Sequence, residues 1–384
     1  LELIDLSRLS PAAREAELKV AAERTLAGMA PAEGGLFRAV LFEVGEGEQR
    51  LLLAAHHLIV DGVSWRILVE DLALLLNGDE AAQLPSKTTS FPAWTARLSD
   101  RARASELQAE AEFWRSLPPA RTLPRDMDGS NLWGDAETVS LQLDDDETKT
   151  LIRGVHAAYG AGTGDVLLAA AIDALAAWTG SDGALVTIEG HGRASPFPDA
   201  DPSRTVGWFT SAAPAWIPAG RSAAPPRLVA AVREALAAIP GDGTGYGLLR
   251  YVLGDPDLRR QAPPEVVFNY LGQADTTLAA AGLRLIAEDV GPQADPREPR
   301  RAALEIEGRV LDARLAVSWT YSSKQYHPAT IRRLAERTMA RLRELLAPVR
   351  LPAPSEDAKA APYPLSPIQQ GVLFHSLLAP GTGA

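Results

Sequence analysis

The chain has 384 residues, 46% hydrophobic and 23% charged, an ordinary composition for a globular protein too long for one simple core. Its net charge of −11 argues against a nucleic-acid binder, whose footprint is basic, and the lack of cysteine excludes a disulfide framework, a thiol nucleophile and a cysteine metal site. No apolar run reaches membrane-spanning length and no secretion signal opens the chain, so a soluble, cytoplasmic protein is expected.

Residues 11–29 are rich in Ala and Glu, with apolar positions at Leu18, Ala21, Ala22 and Leu26, which predicts a helix. Leu36 to Val44 and Arg50 to Ala55 read as strands joined by the Gly-Glu-Gly-Glu turn at 45–48. The second strand runs into Ala55-His56-His57-Leu58-Ile59-Val60-Asp61-Gly62-Val63-Ser64-Trp65. A strand end is a rigid place to hold a base, and histidine exchanges a proton near neutral pH with little tuning. Alternation along a strand lets only one of the two imidazoles face an opening easily. Trp65, Leu68, Val69, Leu72, Leu75 and Leu76 then mark one face of a helix that stops at Asn77-Gly78. A further helical stretch covers 103–116. Proline and glycine cluster from Pro118 to Gly134, where a lobe boundary is expected.

The second half restarts with a strand at Thr138 to Leu143. A helix is predicted from Asp165, as its N-cap, to Trp178, with Gly180 as its stop. Ala184 to Ile188 is a strand that runs straight into Glu189-Gly190-His191-Gly192-Arg193. Leu228 to Ile239 is helical, Val266 to Tyr270 and Leu311 to Tyr321 are strands, and a last helix covers 328–346. Residues 348–362 are mostly Pro, Ala and charge and read as a linker. Both halves mix strands with helices, which fits two α/β lobes meeting at a cleft. The glycines at 241–247 lack the Gly-Lys-Ser/Thr ending of a phosphate loop and the spacing of a dinucleotide fingerprint, so they read as a tight turn. His156 and His327 are isolated, and no two-histidine-plus-carboxylate spacing occurs, so no metal site is expected.

The pattern HHxxxDGxSW at 56–65 resembles the signature of the condensation-domain superfamily of nonribosomal peptide synthetases. EGHGR at 189–193 is similar to a motif of the epimerization domains within that superfamily, as are RTVGWFT at 204–210 and FNYLGQ at 268–273. Leu84 to Phe91 with Trp94, and Gly245 to Tyr251, resemble two more of their segments. The resemblance covers about residues 1–347. It implies an α/β fold (mixed α+β) of two chloramphenicol-acetyltransferase-like lobes in a V, with a tunnel between them. Residues 1–125 would be the N-terminal lobe, incomplete at its start, and 126–347 the C-terminal lobe. The stretch PLSPIQQGVLFHSLL within 363–384 resembles the opening of a following condensation domain.

By the same resemblance His57 and Glu189 are the catalytic pair. His56 is structural, Asp61 fixes the loop by pairing with an arginine, and Trp65, Arg193, Asn269 and Tyr270 support the site or line its channel. Inverting an α-carbon removes its proton on one face and returns one on the other, which two opposed groups do most directly. The implied substrate is an aminoacyl or peptidyl thioester on the 4′-phosphopantetheine arm of an upstream peptidyl carrier domain. A downstream condensation domain is the other implied partner, and no intrinsic cofactor, metal, nucleic acid or membrane is implied. One alternative is a condensation domain that forms peptide bonds, which shares HHxxxDG but which EGHGR and FNYLGQ speak against. Another is a non-catalytic docking module, disfavoured because the histidine and the glutamate are both present.

Overall fold

The computed structural model describes residues 1–78, 83–194, 197, 199–219, 224–273, 283, 284, 286 and 289–351. Of the expected linker only residues 348–351 are described, and the segment 363–384 lies outside the described residues.

The first sheet is small. Strand β1 (Glu2–Asp5) pairs in parallel with β2 (Phe37–Gly45), which forms the predicted hairpin with β3 (Glu48–Ala55). Alternation turns Val40, Phe42 and Val44 towards Leu18 and Ala21 of helix α1 (Pro11–Ala27), and with Leu6 these make a compact core. After β3 the chain makes a turn and enters α2 (Gly62–Asn77), with Asp61 as its N-cap. Two helices follow, α3 (Phe91–Ala102) and α4 (Ser105–Ser116). Periodicity alone indicates the second of these. The first is started by the Ser90 side chain, which caps it, and by a proline in its first turn.

The second sheet has six strands. They are β4 (Ala136–Gln142), β5 (Gly183–Gly190), β6 (Ser211–Pro218), β7 (Val266–Gln273), β8 (Leu304–Leu311) and β9 (Arg314–Ser322), in the spatial order β4-β9-β8-β7-β5-β6. One face is apolar and packs on α5 (Asp145–Tyr159), α6 (Thr163–Thr179), α7 (Pro225–Ala237) and the long C-terminal helix. Helix α6 is buried along nearly its whole length. Asp165 is not its N-cap as expected. Gly162 holds that position, and the Asp165 carboxylate reaches back from the first turn to accept the Gly162 N–H at 2.8 Å. Gly180 ends the helix in the left-handed region at φ 70°.

The other face of this sheet is polar. Register places Glu189 of β5, Asn269 of β7, Glu305 and Glu307 of β8, Ser318 and Thr320 of β9, and Thr138 and Ser140 of β4 on that side. The strand expected over 311–321 is β9, and β8 has no counterpart among the expected strands. The turn between them is Asp312-Ala313, both at positive φ (48° and 61°), with no glycine to mark it.

The two halves of the chain interleave. Helices α3 and α4 pack through Ala102, Leu107, Ala111 and Trp114 on Tyr246, Leu248, Leu249 and Leu258. Those four residues belong to α8 (Thr244–Gly247), a π-helical turn and α9 (Pro256–Arg260). The proline-rich stretch after α4 is strapped to the second sheet: the Leu123 N–H donates to Glu265 at 2.6 Å, and Arg125 pairs with Glu265 at 2.8 Å. The C-terminal helix, α10 (Pro328–Leu346), covers α6. No single described helix is long and apolar enough to cross a membrane; α5 and α6 pass such a test only as a pair bent by 93°.

Candidate active site

Both histidines lie just beyond the end of β3, in a turn, so strand alternation does not decide their directions. The His56 N–H donates to the Leu36 carbonyl at 2.8 Å, and its Nδ1 accepts the Leu58 N–H at 3.2 Å. His56 thereby closes the turn. His57 is exposed, and its ring rests on Trp208 with centroids 4.9 Å apart and planes tilted by 53°. The end of β5 is built alike: there His191 Nδ1 accepts the Arg193 N–H at 3.0 Å.

Asp61 and Arg193 lock the two strand ends together. Asp61 is 3% exposed. Its Oδ1 accepts the Ser64 N–H at 2.7 Å and the Ser64 hydroxyl at 2.8 Å, while Oδ2 accepts the Phe209 N–H at 3.1 Å. Arg193 Nη2 reaches both carboxylate oxygens, at 2.9 and 3.0 Å. Its Nη1 donates to the carbonyls of Pro202 and Thr205 at 2.8 and 2.7 Å, and the guanidinium lies 4.1 Å over the Phe209 ring. Burial pushes the Arg193 guanidinium below its ordinary pKa, and the Asp61 carboxylate opposes that. Nearly every polar atom of the pair is satisfied, the condition for a buried ion pair to hold its geometry. A second inter-segment pair joins Arg204 to Glu70 at 2.9 Å and to Asp71.

Glu189 sits at the end of β5 on the polar face, half-buried. Asn269 of the neighbouring β7 donates its amide to Glu189 Oε2 at 2.7 Å. Burial raises the Glu189 carboxyl above the ordinary range, and the negative charge of Glu305 raises it further. The charges of His57 and Arg301 and the Asn269 hydrogen bond pull the other way. Glu305 is itself paired with the fully buried Arg300 guanidinium at 3.1 Å. The imidazole of one sheet and the carboxyl of the other are thus within electrostatic reach. A carboxyl poised upward can hold or release a proton closer to neutrality than a solvated one.

Two expected members stand apart. Alternation on β7 sends Tyr270 to the face opposite Asn269. Its ring packs between Gly164 of α6 and Gly308 of β8, and its hydroxyl bonds Thr163, so it belongs to the helical side of the sheet rather than beside Glu189. Trp65 packs against Phe37, ring centroids 6.5 Å apart. Four residues not singled out join the site. Ser64 and Trp208 lay inside motifs already noted. For Glu305 the sequence signal is the alternation of Leu304-Glu305-Ile306-Glu307; nothing in the sequence marks Arg301. Among the described residues no group of three or more His, Asp or Glu is placed to hold a metal ion.

Residues 1–357 match the family model described as "Condensation domain". The chain is 38% identical over 417 residues to chondramide synthase cmdD of Chondromyces crocatus, an alignment that takes in 99% of this chain and 11% of that protein. It is 32% identical to bacitracin synthase 3 of Bacillus licheniformis, over 90% of this chain and 6% of that one. The chain therefore spans only a small part of these relatives. Among solved structures it is similar to the epimerization domain from the third module of tyrocidine synthetase B, with a TM-score of 0.82, 31% identity, and 90% of this chain and 79% of that one covered. The cyclization-docking bidomain of EpoB from Sorangium cellulosum gives a TM-score of 0.66 at 21% identity, over 90% of this chain and 70% of that one, which shows a shared fold.

Proposed function

The chain belongs to the condensation-domain family, and from that membership we propose that it is an epimerization domain of a nonribosomal peptide synthetase. It equilibrates the L and D forms at the α-carbon of an aminoacyl or peptidyl thioester. The thioester is held on the phosphopantetheine arm of a carrier domain upstream in the same synthetase, and a condensation domain downstream receives the product. Residues up to 125 form one lobe and 126–347 the other, with the substrate between them.

The observation that carries this reading is the Glu189 carboxyl. It is half-buried, held by Asn269 on the second sheet, and within electrostatic reach of His57. Forming a peptide bond needs no second proton carrier opposite the first, whereas inverting a carbon is done most directly by two such groups. The α-proton of a thioester is weakly acidic. Its removal calls for a positioned base on one face and a donor on the other, and the pair supplies both. Asn269 orients Glu189, and the Asp61–Arg193 pair holds the two strand ends in register.

The test offers the chain α-deuterated aminoacyl-pantetheine thioesters and follows deuterium loss by mass spectrometry. Deuterium washout without chain extension is expected. His57→Gln and Glu189→Gln should each slow it by about a hundredfold or more. Chain extension with an acceptor thioester, or no washout from any substrate offered, overturns the reading.

A further inference from the structure

We propose that Trp208 is a positioning residue for this reaction: the His57 imidazole rests against its indole, and the Arg301 guanidinium lies near the same ring. The inference rests on the epimerase reading and goes beyond it by assigning a third side chain to the proton-transfer machinery.

The placement is built, not incidental. His57 is exposed, and an exposed imidazole samples several rotamers unless something fixes it. The Trp208 ring does so at 4.9 Å, and the Arg301 guanidinium lies 6.0 Å from the same ring. Both chain neighbours of Trp208 are bonded to the segment that follows His57. The Gly207 N–H donates to Ser64 Oγ at 3.0 Å, and the Ser64 hydroxyl proton is shared between Asp61 and the Gly207 carbonyl at 2.9 Å. The Phe209 N–H donates to Asp61 at 3.1 Å. The indole is therefore pinned to the loop that presents the imidazole, although the two lie far apart in sequence. Gly207 has no room for a side chain, because a Cβ there would run into the Phe91 ring, so the backbone beside Trp208 can lie against α3 only as glycine.

The chemistry fits the position. When His57 takes the α-proton its ring becomes a cation. An indole face attracts a cation more strongly than any other aromatic side chain does. Arg301 is the other cation on the indole and one of the charges that reach Glu189. The indole thus fixes the direction of the imidazole. The ring binds no reacting atom; it acts through His57.

The test uses the full chain with Trp208→Leu and Trp208→Phe. In deuterium washout from α-deuterated aminoacyl-pantetheine thioesters, Trp208→Leu should lower kcat by about tenfold or more, with KM changed by less than about twofold. Trp208→Phe, which keeps an aromatic face, should recover most of that loss. Independently of activity, the His57 ring-proton resonances, assigned with His57→Gln, should move in Trp208→Leu as the indole ring current is lost. A merely structural tryptophan would lower the melting temperature without the kcat-specific loss and its rescue by Phe. Wild-type washout with Trp208→Leu equal to it in kcat overturns the role of Trp208 alone. Unchanged His57 resonances in Trp208→Leu overturn the contact between the two rings. A wild-type chain that exchanges no α-hydrogen overturns the epimerase reading and takes this role with it.

Discussion

A carboxyl raised by burial makes a statement about stability as well as about chemistry. Glu189 binds its proton more tightly in the folded chain than in the unfolded one. Below the ordinary carboxylate range both states are protonated and the site has no effect on folding. As pH rises through that range the unfolded chain ionises first, and the folded chain loses stability until Glu189 also ionises at its higher value. Glu189→Gln removes this term and keeps an oxygen for the Asn269 amide. It should therefore melt higher than wild type at pH 8 and about equal to it at pH 4, while losing the exchange activity. Thermal unfolding at the two pH values checks this; a variant that melts lower at pH 8 would mean that the Glu189 charge is compensated in the fold. At this scale the sequence was informative where motifs were dense. His57, Asp61, Glu189, Arg193 and Asn269 all come to one region. The FNYLGQ resemblance assigns Asn269 and Tyr270 together to the channel, yet neighbouring residues on a strand face opposite sides, so only Asn269 lies beside Glu189.

The strand-end turns are the elements on which the site hangs. Each of β3 and β5 ends in a histidine whose Nδ1 accepts an N–H two residues on, and from each turn one half of the Asp61–Arg193 pair is presented. Gly192 makes the second turn possible. It lies at φ 62°, and a methyl there would overlap the Phe209 carbonyl oxygen and crowd the Ser211 amide. Gly192→Ala should destabilise the chain by about 2 kcal/mol or more, since it combines left-handed strain with a backbone overlap. Urea unfolding measures the loss, and a change below about 0.5 kcal/mol would show that the turn can rebuild. The same scale shows which elements could be read from sequence. The β2–β3 hairpin, α2 and α10 have strong periodicity or explicit turn residues. Helix α5, not among the elements expected from the sequence, carries a capping box, Asp144 with Glu147, that marks its start. Strand β6 is disguised by Pro214 and Pro218, tolerable because it lies at the sheet edge.

Over the whole molecule the two sheets are unequal partners, and the proposed base belongs to the weaker one. The six-stranded sheet is sealed by α5, α6, α7 and α10 around a large continuous core. The three-stranded sheet rests on the small cluster around Val40, Phe42 and Leu18. Among the described residues its core is the smaller of the two, so less of its stability comes from apolar burial. Local opening should therefore begin there. Amides of β2 and β3 are expected to exchange hydrogen through openings of lower free energy than amides of β8 and β9. Because His57 hangs from β3, exchange activity should then disappear at a lower urea concentration than the far-UV circular dichroism of the helices. What works against this is the Asp61–Arg193 pair, which ties the His57 loop to the end of β5 in the larger sheet. Coincident loss of activity and helicity, with equal protection in both sheets, would mean that this buried pair couples the two sheets into one unfolding unit. Arg193→Met should then separate the transitions by leaving the Asp61 carboxylate buried without its partner, at a cost of about 3–5 kcal/mol.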